Sequence, residues 1–246
     1  MNKTVLVTGS SKGIGASIIK KFASNNYDVV ITYNNDLERA LKVQEEVNKL
    51  NVKSLVIKCD ISNELEVKNM IDEIINKYGH IDVLINNASI EESSSIEEKN
   101  IDSFNRILSV NLIGSFLVTK EVSKYMLKEK YGSIINISSN NSINAGDINT
   151  LEYDVSKGGI NVLTKDFSKF LAPYITVNAI APGWIKSEKV VDLNNSLDNK
   201  LEIEESKKIL MGRFGECEEV ADLVYSIANN KYITGEIIKI DGGYID

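Results

Sequence analysis

Histidine is nearly missing from this sequence, and cysteine is scarce. Among 246 residues there are one histidine, His80, and two cysteines, Cys59 and Cys217, which lie far apart in the chain. This composition excludes a histidine-based zinc site and a Ser-His-Asp hydrolase, and it indicates no disulfide framework. His80 also precedes a predicted strand, whereas open parallel sheets bind ligands at the carboxyl ends of their strands. We therefore predict that His80 is a loop residue and that the protein has no metal site.

Proline, long apolar runs and positive charge are also in short supply. Two prolines provide no Pro-rich linker, and no apolar run approaches the roughly 20 residues that a membrane span needs. A formal net charge of -7 disfavours nucleic-acid binding as the main function. The first predicted strand begins at residue 4, which leaves no room for a signal peptide, and the sparse cysteines fit a reducing compartment. We expect a cytoplasmic protein with neither nucleic-acid nor membrane partners.

A glycine-rich turn stands between the first predicted strand and the first predicted helix. Residues 4–7 are apolar and mostly β-branched, which is typical of a buried parallel strand. Gly9, Gly13 and Gly15 follow, and a helical apolar pattern begins at Ile14. The glycines allow close backbone approach, and the helix N-terminus offers free N–H groups to an anion. The spacing T-G-x-x-x-G-x-G differs from the commoner motif; it predicts a cradle for a dinucleotide pyrophosphate, with a plain turn as the alternative.

Predicted strands and helices alternate along the rest of the chain. Further strands are predicted at residues 29–33, 54–58, 82–85, 133–137, 175–180 and 236–240, and helices at 36–50, 63–77, 101–128, 153–171 and 217–229. The polar stretch 187–200 reads as a mobile loop or short helices. Such alternation is typical of a parallel sheet with helices on both faces and right-handed crossovers. We predict an α/β protein with a single doubly wound Rossmann domain over residues 1–246 and a sheet of about seven strands.

A tyrosine and a lysine share one face of a predicted helix. Tyr153 and Lys157 are four residues apart, and Ser138-Ser139 follow the preceding strand. A free phenol has a pKa of about 10, and a nearby ammonium group lowers it. Tyr153 is then suited to exchange a proton with a carbonyl or alcohol oxygen that a serine hydroxyl holds. Taken alone, a Tyr-x-x-x-Lys pair on a helix is more simply a surface pair.

Taken together, the motifs resemble the short-chain dehydrogenase/reductase family over nearly the entire chain. The residues that carry the resemblance are Thr8 to Gly15, Asp60, Asn86-Asn87-Ala88, Asn111, Ser139, Tyr153, Lys157, Pro182-Gly183 and Asp241-Gly242-Gly243. The segments SSKGIG, ISS, SKGG, VNAIAPG and GRFGE look most like those of 3-oxoacyl-[acyl carrier protein] reductases. The resemblance implies an NAD(P)-dependent oxidoreductase that reduces a ketone to a secondary alcohol, with a 3-oxoacyl thioester as the favoured substrate.

The resemblance also implies a role for each matching residue. Tyr153 is implied as catalytic acid/base, Lys157 as the ribose-binding residue that lowers the tyrosine pKa, Ser139 as the carbonyl-positioning residue, and Asn111 as support for a water-mediated proton relay. The implied cofactor contacts are Gly9, Ser11, Lys12, Gly13, Ile14, Tyr33, Asn34, Asp60, Ile61, Asn87, Ala88, Tyr153, Lys157, Pro182, Gly183, Ile185 and Ser187. Because the loop before Tyr153 is one residue longer than is common in the family, Ser138 is a weaker alternative to Ser139.

The second predicted strand ends without the carboxylate that would bind the ribose 2′-hydroxyl of NAD. Tyr33-Asn34 stand at this position, although Asp36 is near. Lys12 in the glycine loop can pair with a 2′-phosphate as a point charge, and such a lysine looks like that of the NADP-preferring members of the family. We predict NADP rather than NAD; a merely solvated Lys12 is the alternative.

Predictions about the substrate and the partners come from loops and surface residues. Specificity is expected in loops 90–98, 140–150 and 187–205, and Trp184 either lines the pocket or packs beneath the last of these loops. Lys128 and Lys130 are candidates for docking an acidic carrier protein at the active-site mouth, although Glu129 lies between them. The apolar excess of helices 101–128 and 153–171 predicts a homo-oligomer, a dimer or tetramer. Cys217 is interpreted as structural, because neighbouring glutamates disfavour a thiolate.

Two other functions stay open. The first is an enzyme of the same family that acts on another small ketone, alcohol or sugar. The second is a catalytically idle dinucleotide-binding protein that serves as a redox sensor or scaffold. The joint presence of Ser139, Tyr153, Lys157 and Asn111 argues against the idle protein.

Overall fold

Alternate residues of the central strands point to opposite sides of one sheet, and both sides are buried. The computed structural model describes residues 2–144 and 147–245. Val5 and Val7 of the first strand pack into one apolar cluster, whereas Leu6 between them packs into a second cluster on the other face. This period of two explains why continuous apolar runs in the sequence predict strands that are covered on both sides.

The sheet has seven strands in the described part of the chain, and all neighbouring strands are parallel. The strands are β1 (Thr4–Val7), β2 (Asp28–Tyr33), β3 (Ser54–Lys58), β4 (Val83–Asn86), β5 (Gly132–Ile137), β6 (Ile175–Pro182) and β7 (Ile237–Ile240). Their order is β3-β2-β1-β4-β5-β6-β7. The predicted α/β class and doubly wound Rossmann sheet are therefore confirmed.

Helices cover both faces of this sheet. They are α1 (Gly13–Ala23), α2 (Leu37–Asn48), α3 (Glu64–Tyr78), α4 (Ile101–Leu108), α5 (Ser115–Glu129), α6 (Leu151–Leu171), α7 (Glu188–Ser196), α8 (Lys200–Glu205) and α9 (Cys217–Asn229). Apolar side chains of α1, α2 and α9 form the first cluster with the sheet, and those of α3 and α5 form the second. Each fully buried Leu, Ile or Phe adds about 1.5–3 kcal/mol to the free energy of unfolding.

The helix predicted over 101–128 is not a continuous α-helix. A π-helical turn, Ser109–Gly114, separates α4 from α5. A Cβ atom on Gly114 would lie 2.7 Å from the side chain of Ile61, so the glycine lets the helix lie close to the turn after β3. The side chain of Asn111, in the same turn, bonds to Ile90 and Ser156 instead of facing the apolar core. π-turns of this kind often mark functional sites.

A chain of polar side chains crosses the second apolar cluster. The Nδ2 atom of Asn86 donates to Oδ1 of Asn136 and to Oγ1 of Thr119, both at 2.8 Å. Asn136 donates in turn to Oγ1 of Thr164 at 2.8 Å. All four side chains are buried. This network of buried hydrogen bonds links β4 and β5 to α5 and α6.

The segment after β6 forms helices rather than an open loop. Helices α7 and α8 and a 3-10 turn, Ser206–Lys208, follow Ser187. Residues 208–211 then pair with residues 242–245, since Leu210 N donates to Gly243 O at 3.2 Å and Ile245 N donates to Lys208 O at 2.8 Å. The prediction of short helices over 187–200 is confirmed. No helix of the described ranges combines the length and apolarity that crossing a bilayer requires.

Candidate active site

A cleft opens where the carboxyl ends of the strands meet. Its volume is about 630 Å³. The strand order reverses between β1 and β4, and such a switch point is where open α/β sheets bind ligands. Nine of the predicted site residues line the cleft: Ile14, Asn87, Ser139, Tyr153, Lys157, Pro182, Gly183, Ile185 and Ser187. The single histidine, His80, lies away from it, with Nε2 3.2 Å from the carbonyl oxygen of Asn2. The loop position predicted for His80 is therefore confirmed.

The glycine loop has the geometry of a phosphate cradle. Gly9 and Gly13 have φ angles of +60° and +55°, which favour glycine. A Cβ atom on Gly9 would lie 2.8 Å from Cα of Ala88, so the two loops meet backbone to backbone. Lys12 occupies the N-cap of α1 and provides no side-chain acceptor for the first N–H groups of the helix. These donors fit a pyrophosphate group.

Asn87 fixes the shape of this cradle. Its Nδ2 atom donates to the carbonyl oxygens of Thr8 and Gly9 at 2.9 and 3.0 Å. In return, Thr8 Oγ1 accepts from the backbone N–H groups of Asn87 and Ala88 at 2.9 and 3.1 Å. The sequence predicts Asn87 as a neighbour of the adenosine ribose, and these contacts add a structural duty that the sequence motif does not reveal.

Ser138 and Ser139 have different surroundings. Ser138 Oγ lies 2.8 Å from Oδ1 of Asn161 and 3.0 Å from Oγ of Ser142, and it is turned toward α6. Ser139 accepts from the backbone N–H of Asn141 at 3.2 Å and stands in the cleft wall. Both residues line the cleft, but the Ser138 hydroxyl is already held by Asn161 and Ser142, so this geometry favours Ser139 over the alternative Ser138.

Tyr153 and Lys157 converge on the same cleft from the first turns of α6. The Nζ atom of Lys157 lies 5.5 Å from the centre of the Tyr153 ring. Lys157 is buried and donates to the carbonyl oxygen of Ile137, at the end of β5, at 2.7 Å. This bond points the ammonium group across the carboxyl end of the sheet, beside the phenol.

The lowering of the phenol pKa by Lys157 stays a prediction, and the burial of Tyr153 acts against it. Burial raises the pKa of Tyr153 well above its usual value, and the negative charge of Glu91 raises it further, while hydrogen bonding with Ser139 acts in the opposite direction. Burial also lowers the pKa of Lys157 to about 8, against the opposing charge of Glu91. Desolvation is the largest influence on both groups, and it disfavours the charged form of each.

The residues predicted to contact adenosine lie near the tips of β2 and β3, outside the lining of the cleft. Asn34 and Lys12 are exposed, and Tyr33 is half-buried. Asp60 Oδ1 accepts from the backbone N–H and the hydroxyl of Ser62 at 2.9 and 2.7 Å, while Ile61 is buried. Four more of the predicted cofactor contacts do not line the cleft, namely Gly9, Ser11, Gly13 and Ala88. Asn111, predicted to support the proton relay, is buried in the π-turn.

Arg39 is a cation at this end that the sequence analysis missed. Its NH1 atom lies 2.8 Å from the carboxylate of Glu188, and its Nε atom lies 3.3 Å from that of Asp36. Asp36, the acidic residue nearest the end of β2, caps α2 by accepting from the backbone N–H of Arg39. The sequence does contain a pattern that could have identified Arg39, because a basic residue stands in the first turn of the helix that follows the second strand.

The segment after β6 passes over the glycine loop. A Cβ atom on Gly13 would lie 3.5 Å from Cβ of Ser187. A Cβ atom on Gly183 would lie 2.8 Å from Cβ of Asp241, so the glycine is required by close packing. Ile185 is buried and pairs with Gly215 in an isolated bridge. The segment from Gly183 to Ser187, which is predicted to contact nicotinamide, is thus packed between Asp241 and the glycine loop.

Trp184 and Glu205 form part of the cleft wall. The Trp184 ring stacks on Phe214 with centroids 5.3 Å apart and an interplanar angle of 11°. Its Nε1 atom donates to Glu205 at 3.2 Å, and the Tyr244 hydroxyl donates to the same carboxylate at 2.9 Å. Trp184 therefore lines the cleft with one part of its side chain and packs against Phe214 with its ring. The two predicted alternatives, a pocket residue and a packing residue, both apply.

Lys128 and Lys130 do not lie at the mouth of this cleft. They stand at the end of α5, just before β5, whereas Ser139 follows the other end of that strand. Six residues of parallel strand span about 20 Å. Within one chain, the two lysines are therefore at the amino edge of the sheet, and the predicted placement at the mouth is wrong.

Burial supports the prediction that Cys217 is structural, and it does so more strongly than the neighbouring glutamates. Burial at the start of α9 raises the pKa of its thiol to about 11, and the charges of Glu218 and Glu216 add to the rise. A thiol with this pKa is protonated at neutral pH and is a poor nucleophile.

Known proteins of one family are similar to this protein over nearly its whole length. Residues 9–245 match the sequence family described as enoyl-(acyl carrier protein) reductase. The 3-oxoacyl-[acyl-carrier-protein] reductase FabG of Staphylococcus epidermidis is 37% identical over 247 residues, which cover 99% of this chain and 99% of the relative. Glucose 1-dehydrogenase 2 of Bacillus subtilis is 32% identical over 246 residues, which cover 98% of this chain and 94% of that protein.

Solved structures give the same result. The short-chain dehydrogenase/reductase from Serratia marcescens has a TM-score of 0.89 at 31% identity, with 99% of this chain and 98% of that one covered. The structure described as ElxO with NADP bound has a TM-score of 0.91 at 33% identity and 99% coverage of both chains. The protein is an NAD(P)-dependent oxidoreductase and belongs to the short-chain dehydrogenase/reductase family.

Proposed function

We propose that this enzyme uses NADPH to reduce the carbonyl group of a 3-oxoacyl thioester to a secondary alcohol. The observation that carries the proposal is the meeting of Ser139, Tyr153 and Lys157 in one cleft beside the glycine cradle. A hydroxyl that can hold the carbonyl oxygen, a phenol that can protonate it and a cation beside the phenol are the groups that carbonyl reduction needs.

Each residue has a defined task in this proposal. The bound nicotinamide supplies the hydride. Ser139 orients the carbonyl oxygen, and Tyr153 donates a proton to the same oxygen. Because burial raises the pKa of Tyr153, the phenol enters the reaction protonated, as a general acid must. Lys157 binds the ribose beside the ring as an ammonium group below pH 8, the value near which its pKa lies.

Asn111 is assigned to the support of the proton relay. Its side chain bonds to both backbone groups of Ile90 and, through Nδ2, to Ser156 Oγ at 3.0 Å. It therefore ties the loop after β4 to α6 between Tyr153 and Lys157. In the proposed relay, water carries a proton from this region to Lys157, which restores the proton that Tyr153 has given up.

The cofactor preference is proposed from two cations. Lys12 is exposed at the glycine loop, and Arg39 lies at the start of α2 after β2. Both can pair with a 2′-phosphate. Lys12→Ala and Arg39→Ala are each expected to raise the Kd for NADPH at least fivefold and to leave the Kd for NADH within twofold, as measured by fluorescence titration. Tighter binding of NADH than of NADPH by the unaltered protein would contradict this preference.

The substrate assignment draws support from the relatives. The Staphylococcus epidermidis relative is a 3-oxoacyl-[acyl-carrier-protein] reductase that aligns over 99% of this chain. The experiment is to follow NADPH absorbance with acetoacetyl thioesters of coenzyme A and of carrier protein, beside a panel of other ketones. Tyr153→Phe is expected to abolish turnover, and Tyr232→Phe, at a fully exposed tyrosine, serves as the control.

A second candidate is a small hydroxylated ketone or sugar. Asparagine and charged side chains predominate in the cleft wall beyond Tyr153, namely Glu91, Asn140, Asn141, Asn144, Asp147, Lys189, Glu205 and Lys208. Such groups suit hydroxyls, and the Bacillus subtilis relative is a glucose dehydrogenase. Faster reaction with sugars than with thioesters would favour this candidate, whereas no turnover of any carbonyl compound would favour an idle dinucleotide-binding protein.

A further inference from the structure

Glu91 is a charged group in the cleft that the mechanism does not use. It follows Ile90, whose backbone N–H donates to Asn111 Oδ1 and whose carbonyl oxygen accepts from Asn111 Nδ2, both at 2.8 Å. These two bonds clamp the loop after β4. Glu91 is therefore presented to the cleft from a fixed backbone position rather than from a free loop.

An ion pair links Glu91 to the opposite wall. Its carboxylate lies 2.7 Å from Nζ of Lys189, in the first turn of α7. The side chains keep 38% and 59% of their surface exposed, respectively, so both charges are still hydrated. Since both residues line the cleft, the pair stands across the space in which a substrate body would lie.

The charge of Glu91 acts close to the reacting groups. It is the leading charged influence on both Tyr153 and Lys157. A group attached to the reacting carbonyl therefore passes near this carboxylate. An alkyl chain there would remove water from the ion pair without replacing its hydrogen bonds, which opposes the gain from burying methylene groups.

We propose that the Glu91–Lys189 ion pair makes this enzyme selective for short substrates, with a four-carbon 3-oxoacyl group preferred over longer chains. The inference rests on the proposed carbonyl reduction and adds its substrate class. Glu91 is a specificity-determining residue, and it takes no part in proton transfer.

The test measures kcat/KM across two series of increasing chain length. One series is 3-oxoacyl thioesters of N-acetylcysteamine with four, six and eight carbons, and the other is methyl ketones of the same lengths, which lack the thioester. The unaltered enzyme is expected to show a kcat/KM that falls as the chain lengthens. For Glu91→Leu, we expect kcat/KM to rise by up to fourfold per added methylene, the factor that corresponds to about 0.8 kcal/mol. The ratio of eight-carbon to four-carbon rates should then change at least tenfold.

Matched variants separate this effect from a general disturbance. Glu92→Leu changes the adjacent residue, which pairs with Arg106 outside the cleft, and should leave the ratio unchanged. Glu91→Gln and Lys189→Met should shift the ratio in the same direction by a smaller factor, and they keep the test decisive if Glu91→Leu does not fold.

The outcomes distinguish this inference from the proposed function. A kcat/KM of the unaltered enzyme that stays flat or rises from four to eight carbons overturns the chain-length selectivity while the reductase assignment stands. An eight-carbon to four-carbon ratio that stays within twofold of the unaltered enzyme's ratio in all three cleft variants overturns it as well. Turnover of ketones without any turnover of thioesters overturns the thioester substrate, and the ketone series still measures the selectivity. Absence of turnover in both series overturns both.

Discussion

Replacing Gly9 with alanine tests the contact between the glycine loop and the loop after β4. The residue has a φ angle of +60°, and an added Cβ would lie 2.8 Å from Cα of Ala88 and 2.9 Å from its Cβ. Carbon atoms are normally in contact at about 3.5–4.0 Å. The added Cβ belongs to one loop and meets the backbone of the other loop, so no flexible side chain can move out of its way. One of the two loops must move.

A second glycine provides a matched control for the backbone conformation. Gly79, at the C-cap of α3, has a φ angle of +82° but no atom within 4 Å of an added Cβ. Alanine in the left-handed region costs about 1–2 kcal/mol, partly offset by about 0.4–1 kcal/mol from a less flexible unfolded chain. Gly79→Ala should therefore lose about 1 kcal/mol of unfolding free energy. Gly9→Ala adds overpacking of about 1–3 kcal/mol and should lose about 2–4 kcal/mol in total.

Thermal unfolding and nucleotide titration measure the two consequences. For a chain of this size, 1 kcal/mol corresponds to about 2–4 °C in Tm. We expect Tm to fall by about 2–4 °C in Gly79→Ala and by about 4–16 °C in Gly9→Ala. Only Gly9→Ala should weaken NADPH binding, by at least tenfold. Equal Tm losses in the two variants, or an unchanged Kd for NADPH in Gly9→Ala, would refute the reasoning.

Three further predictions follow from the same structure. Tyr153→Phe should lower kcat/KM by about 100-fold or more while the Kd for NADPH stays within threefold; retained turnover would remove Tyr153 from catalysis. Lys157→Met should be inactive yet raise Tm at pH 7 by a few degrees, because a buried ammonium with a pKa near 8 destabilises the fold below that pH. This Tm difference should shrink between pH 8 and 10 as the lysine loses its charge, and a difference independent of pH would contradict the assignment. We expect a dimer or tetramer in solution, which Val162→Glu on α6 should dissociate and Leu65→Glu, equally exposed on α3, should not; an unaltered protein that elutes as a 27.3 kDa monomer would contradict this expectation.

The sheet was predictable because its strands are buried on both faces. Strands such as β1 and β4 are therefore mostly apolar, and such runs stand out between helical patterns. The position of Ser139 and Tyr153 followed from the same rule, since residues after parallel strands share one edge. The amino-edge position of Lys128 and Lys130 also follows from that rule, because both precede β5.

Features that depend on distant contacts were not predictable. The π-turn around Asn111 contains Gly114, which packs against Ile61, and neither residue signals the other in the sequence. The raised pKa of Tyr153 depends on burial by several elements. The ion pairs of Arg39 with Glu188 and of Glu91 with Lys189 join segments that only the folded chain brings together.

The buried chain of Asn86, Asn136, Thr119 and Thr164 has a consequence for how this sequence can diverge. Changing one member strands its partner's polar group away from water, at about 1–3 kcal/mol for each group left unpaired. Changing all four to apolar residues of similar shape can be nearly neutral. The four residues should therefore be replaced together more readily than one at a time, because a single replacement leaves a neighbouring buried polar group unpaired.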